Sequence, residues 1–259
     1  MKNALVVPGV FFLSFLSALA VFAFFGGLAE CYGLTLPPSE LAGFLMLCIV
    51  RSACYTLPIA AVFAIIGVYA FLLRHRAKLS VAVSLFLLCL VFTAIVIIPA
   101  FYAQASSVET ALAAFTAYAP ADTAVTGFID QPFFLTPFIQ SADALFNDLY
   151  SAYRSSFAIY LFFIFALFLC MSSFRIACTA TRWNMLNLLL LFILAGAFLL
   201  LYPYMRQEGF QSVLSNAHLN FNDTPFGIPI VLCIAALILY TISGLKSLVK
   251  LSKAKRRTV

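Results

Sequence analysis

Six stretches of this chain stay apolar for about as long as a bilayer requires, and the polar residues collect between them. A hydrocarbon core about 30 Å thick takes roughly 20 helical residues at 1.5 Å each. Ala4–Leu28, Ala53–Leu73, Leu79–Phe101, Phe157–Phe174, Asn184–Tyr204 and Phe226–Leu245 meet that length. A membrane β-barrel would instead alternate polarity over segments of about ten residues. These runs are continuously apolar and rich in Leu, Phe and Ala. The pattern predicts an all-α integral membrane protein: one transmembrane domain over residues 1–259, six transmembrane helices and a small helical extracytoplasmic cap.

Two regions depart from simple crossings. Leu41 to Leu73 carries no turn signal except Pro58 and is too long for one upright span. It is read as an outer-leaflet or re-entrant helix, Ser39–Val50 with Ser39 as N-cap, followed by a crossing from Ala53 that Pro58 kinks. The outer loop Tyr102–Ser156 follows the third span. Ser106 and Glu109 have capping-box spacing, which predicts a short helix closed by Pro120. Leu145, Leu149 and Tyr153 recur every four residues and predict a helix over Ser141–Ser156 leading into the fourth span. Pro132 and Pro137 bracket an aromatic group, Phe133, Phe134 and Phe138, which an aqueous loop would not display. Its readings are a membrane-surface or helix contact, and a gate or partner interface.

Composition removes the soluble alternatives. Hydrophobic residues make up 64% of the chain and charged ones 9%, against roughly 45–50% and 25% in soluble domains. The distribution of charge is more informative than the net +6. Twelve of the 15 basic residues fall in Lys2, the Arg74–Lys78 and Arg175–Arg182 connections and the tail after residue 245, without one acid. All nine acids occupy the alternate connections, with Arg51, Arg154 and Arg206. The positive-inside rule then places both termini and the basic tail 246–259 in the cytoplasm of a cell (inner) membrane. Trp183, Tyr202 and Tyr204 stand where aromatic belts form. The first run exceeds the 7–15 residues typical of a signal-peptide core, and Glu30 spoils a lipoprotein box before Cys31. A retained first span is expected.

Chemistry-bearing patterns are sparse. P-loop, HExxH and GxSxG motifs are absent. The seven cysteines form no CxxC or Cys/His cluster, and five lie inside apolar runs. His75 and His218 fall on opposite sides in this topology. No catalytic, cofactor-binding or metal residue is assigned, and no cofactor is expected. The spans hold no Asp, Glu, Lys or His in their cores, which argues against a carrier coupled through a buried carboxylate. Arg51 is the one charge embedded in an apolar stretch; it reads as an interface anchor or as a contact for an anionic headgroup. The Lys246–Arg257 cluster suits anionic lipid, with partner docking as the alternative.

Some segments resemble the lipopolysaccharide-export ABC permease family (YjgP/YjgQ type). Leu36-Pro37-Pro38-Ser39-Glu40 leading to Tyr55-Thr56-Leu57-Pro58-Ile59-Ala60 looks like that family's approach to its second span. Ile97-Ile98-Pro99 and Thr224-Pro225-Phe226-Gly227-Ile228-Pro229 look like the end of its third span and the start of its last. The resemblance implies six crossings with an insertion between the third and fourth, and work alongside an ATPase. Tyr102–Ser156 is shorter than the family's β-jellyroll insertion, and Arg74-His75-Arg76-Ala77-Lys78 lacks the acid and glycine of its coupling loop.

The expected function is that of a non-enzymatic, permease-like subunit for a hydrophobic or amphipathic, lipid-type molecule. Its expected partners are membrane lipids, a cytoplasmic ATPase and other membrane subunits, but no nucleic acid. A scaffold or assembly factor is the alternative. An outer-surface enzyme using Asp122, Asp130 or Asp143 stands third.

Overall fold

A computed structural model describes residues 5–31, 38–75, 79–118, 136–206 and 227–255. Its elements are α1 (Val7–Cys31), α2 (Pro38–Arg74), α3 (Leu79–Phe92), a π turn (Thr93–Ile97), α4 (Ile98–Tyr118), α5 (Thr136–Ser155), α6 (Phe157–Ser173), a 3-10 turn (Phe174–Thr179), α7 (Asn184–Leu201), a second 3-10 turn (Tyr202–Arg206) and α8 (Gly227–Lys255). Among the described residues there is no strand. Six helical stretches are long and apolar enough to cross a membrane: Val7–Leu28, Leu41–Arg74, Val81–Leu112, Phe157–Cys178, Asn184–Met205 and Gly227–Leu245. The chain is an all-α, multi-pass membrane protein.

The expected break before Ala53 does not occur. Helix α2 runs unbroken through its 37 residues, about 55 Å at roughly 1.5 Å per residue. It begins at Pro38, a residue suited to a first helical turn, so Ser39 lies inside the helix rather than capping it. Nothing between Leu41 and Ala53 stops a helix, and Phe44 and Cys48 are buried, so packing holds the extra turns in place. Pro58 deprives the Cys54 carbonyl of its usual donor, yet the helix absorbs it.

Helix α2 is the central rod, with 61% of its membrane window buried. It packs against α1, α4, α5, α6 and α7. The antiparallel α1–α2 contact is close because small residues face each other. A Cβ on Gly27 would fall 2.8 Å from the backbone nitrogen of Ile49, and one on Gly26 or Gly67 would strike the hydroxyl of Ser52 or Ser14. Ser52 donates its hydroxyl to the Phe22 carbonyl at 3.3 Å. Rings from Phe22, Phe63 and Phe192 connect α1, α2 and α7. Helix α8 is peripheral: it packs chiefly on α6, and only 17% of its membrane window is buried.

The third span also continues past its expected end. Pro99 does not stop the helix, because the chain widens into the π turn just before it. The Ile98 N–H bonds to the Thr93 carbonyl, five residues back. The Ala94 carbonyl would next take the N–H of residue 99, which proline lacks. The Tyr160 hydroxyl of α6 fills that vacancy, donating to Ala94 O at 2.7 Å. Helix α4 then extends to Tyr118, so Ser106 and Glu109 are mid-helix and form no capping box. The Ser106 carbonyl accepts the Thr110 hydroxyl at 2.8 Å.

Two ends of the bundle differ in charge. Among the described residues every acidic position is at the end formed by the last turns of α1, the first turns of α2, the outer part of α4 and helix α5: Glu30, Glu40, Glu109, Asp143 and Asp148. This is the cap end. The opposite, basic end carries Arg74, Arg175, Arg182 and the last turns of α8 with Lys246, Lys250, Lys253 and Lys255.

Candidate functional site

The cap end gathers the polar groups of the molecule around α5. Ser141, Ala142, Leu145, Phe146, Leu149 and Ala152 are buried, whereas Asp143, Asn147, Ser151 and Arg154 are exposed. That spacing gives α5 one apolar face, which lies against α2, α6, α7 and the Tyr202–Arg206 turn. A single extended residue, Ser156 (φ −163°, ψ 133°), separates α5 from α6. The helix predicted over Ser141–Ser156 is therefore present, starts earlier, and is offset from the span that follows.

Arg51 and Tyr55 are one helical turn apart on α2 and face this junction. The Arg51 guanidinium carbon lies 5.3 Å from the Tyr55 ring centroid, a separation at which ring and cation attract. The Tyr55 ring packs on Phe146 of α5 with centroids 4.1 Å apart. Its hydroxyl donates to Glu109 Oε1 of α4 at 3.1 Å. Asp143 is exposed as a residue, but partial desolvation of its carboxyl beside the bundle pushes it above its ordinary range, and the Arg51 charge opposes that rise. Farther along α5, Asp148 Oδ2 accepts the hydroxyl of the fully buried Tyr202 at 2.8 Å. Three helices thus meet around one guanidinium.

Next to this cluster sits a group of stacked and edge-on rings. Tyr102 of α4 makes edge contacts with Phe146, Tyr150, Tyr153 and Tyr160, with centroids 5.4 to 6.3 Å away. Tyr102 is 1% exposed, and its hydroxyl has no hydrogen-bond partner. A buried unsatisfied hydroxyl costs about 1–3 kcal/mol. Tyr160, its neighbour, is fully satisfied by Ala94.

Of the residues singled out in the sequence, Arg51 and Asp143 enter this site. Arg51 is half-buried rather than simply reaching outward, and it lies 23 residues before Arg74. That spacing is about 35 Å of helix at roughly 1.5 Å per residue, close to one hydrocarbon thickness. Phe133 and Phe134 lie outside the described residues; Phe138 is in α5, but its side chain lies outside the described ones. Asp122, Asp130 and His218 are outside them too. Tyr55, Glu109, Phe146 and Tyr102 were not singled out as site residues. The i, i+4 spacing of Arg51 and Tyr55 was the available signal for the first of them. Glu109 was hidden because its spacing from Ser106 suggested a helix start.

The arrangement offers a cation on an aromatic support, with carboxylates close by, at membrane-interface depth. Such a guanidinium can take an anionic group two oxygens at a time. Among the described residues no three His, Cys, Asp or Glu side chains converge as a metal ion would need. No family model matches this chain, and no curated protein or solved structure matches it either.

Proposed function

We propose that the chain is a permease-like membrane subunit that handles an amphipathic, lipid-type molecule and works with a separate ATPase. The observation behind this reading is Arg51: half-buried, backed by Tyr55, and opposed across the junction by Asp143 of the cap helix. An anionic headgroup would compete with Asp143 for the guanidinium. Apolar tails would find lipid-facing side chains such as Met46 and Val50 on α2 and Phe24 and Phe25 on α1, all exposed. In this reading the site is non-enzymatic, the basic end is cytoplasmic in a cell membrane, and its cations receive the ATPase. A membrane core free of Asp, Glu, Lys and His suits an energy source outside the spans.

One observation favours the second reading, a scaffold without transport: α8 buries little of its membrane window against its own chain, leaving most of it for other subunits. Purification in mild detergent, with identification of bound proteins and lipids, separates the two. A stoichiometric ATPase, together with an anionic amphiphile that Arg51→Ala no longer retains, supports the permease. A large membrane complex lacking an ATPase, with a lipid complement unchanged in Arg51→Ala, overturns it in favour of the scaffold.

A further inference from the structure

The basic end carries a second arrangement, independent of Arg51. Arg175 stands on the 3-10 turn after α6, exposed, with its guanidinium carbon 5.6 Å from the ring centroid of Tyr240 in α8. The Tyr240 hydroxyl is 2.6 Å from Ser172 Oγ. The Ser172 carbonyl accepts the hydroxyl of Tyr69 from α2 at 2.8 Å. Three helices therefore fix the floor on which the guanidinium rests, while its far side stays open. Ser172 Oγ also donates to the Leu169 carbonyl at 2.8 Å, so Tyr240 donates to Ser172 and both hydroxyl protons are spent fixing the floor, leaving the guanidinium as the group that faces an anion.

On α6, Phe162, Phe165 and Leu169 are exposed large side chains, and their spacing of three and four places them on one stripe that continues to Ser172. That stripe runs from the membrane interior to Arg175. Beside it, α8 turns exposed Ile234, Leu237 and Ile238 outward. The charge at this end is of one sign: Arg74, Arg175 and Arg182 are there, and the acids among the described residues are at the other end. An apolar stripe ending in an aromatic-backed guanidinium matches one amphiphile, with a chain along the stripe and a phosphate at its end. Arginine suits that phosphate because its planar fork binds two oxygens and stacks on a ring at once.

We propose that the α6–α8 seam at the basic end is a binding site for an anionic phospholipid, its phosphate held by Arg175 beside Ser172 and Tyr240 and its acyl chain lying along Phe165 and Leu169. The lipid would cover part of a seam that the chain itself leaves open, and would couple the peripheral α8 to the bundle.

Native mass spectrometry of the full chain in detergent, titrated with phosphatidylglycerol or phosphatidylcholine, tests this. A phosphatidylglycerol adduct preferred over phosphatidylcholine is expected. Arg175→Gln should weaken it about tenfold, while replacing Lys250 and Lys253 with Gln should leave it within about twofold. Arg175→Lys, which keeps the charge without the planar fork, should show an intermediate loss and decides the matter if the Gln variant does not fold. Equal binding of the two lipids, or unchanged binding by Arg175→Lys, overturns the proposal. So does full competition by inorganic phosphate, which would make this a site for the free anion.

Discussion

The two ends of this bundle handle charge in opposite ways. At the cap end, cation, carboxylates and phenols come from different helices and answer one another: Arg51 and Tyr55 on α2, Glu109 on α4, Asp143 and Asp148 on α5, Tyr202 after α7. At the basic end the arginines share one sign and point outward. The hydrogen bonds there are made by neutral groups, such as Asn187, which donates to the Cys178 and Thr181 carbonyls and accepts from Thr181. A half-buried charge such as Arg51 is answered within the protein, whereas an exposed interfacial one can rely on lipid phosphate. The first end answers its charges within the chain, while the second leaves its cations to their surroundings.

A contrast in rigidity between the ends exists in the α1–α2 seam, and it yields the largest expected effect. Toward the cap end Gly27 faces the backbone of Ile49, while toward the basic end Gly67 faces the hydroxyl of Ser14. Backbone cannot yield; a serine hydroxyl can rotate away, although the Ser14 Cβ, 2.8 Å from the added methyl, must shift with its helix. Gly27→Ala should destabilise the protein by about 3 kcal/mol and Gly67→Ala by about 2 kcal/mol, within the overpacking range. Gly67→Ala combined with Ser14→Ala should recover only the part due to the hydroxyl. Denaturant unfolding in micelles reads all three, and equal losses at the two glycines would erase the asymmetry.

Between the ends, two buried tyrosines form a sharper pair. Tyr160→Phe strands the Ala94 carbonyl and should cost about 2 kcal/mol, whereas Tyr102→Phe removes a hydroxyl with no partner and should be neutral or stabilising. The measurement is again unfolding free energy in micelles. A large loss from Tyr102→Phe would show that its hydroxyl has a role the packing does not reveal.

How much of this was legible follows from which forces act locally. The six spans were readable because apolar run length is set by the bilayer, and Trp183, Pro203 and Pro229 lie at helix ends as side-chain preference dictates. The ends of α2 and α4 were not. Sequence marks a helix end by a breaker, and Pro99 looked like one. The π turn that rescues it depends on Tyr160, 61 residues later, and no local pattern carries that pairing. Arg51 was visible as a lone charge, but its neighbours Glu109 and Asp143 come from other helices. Their approach is a property of the packing.

The cap's self-sufficiency has a smaller, pH-dependent consequence at Asp143. The charged group that acts on it is Arg51 from α2, which itself lies over the Tyr55 ring. Arg51 stays charged at any working pH, so attraction alone would favour the ionised carboxylate. The upward direction means that desolvation outweighs that attraction. A folded carboxyl that titrates above its unfolded value, about 3.9, takes up its proton first in the native state. Stability at this residue therefore rises as pH falls through the folded value, and the gain is complete below the unfolded one. Mild acid should tighten the cap rather than open it. Thermal unfolding in detergent at pH 7 and pH 4.5 should show that gain in the native chain and a reduced one in Asp143→Asn. An identical pH response in the two would mean that the acid sensitivity arises elsewhere. A response of opposite sign, abolished by Asp143→Asn, would mean that the Arg51 attraction governs Asp143 after all and that the cap is held by the ionised pair.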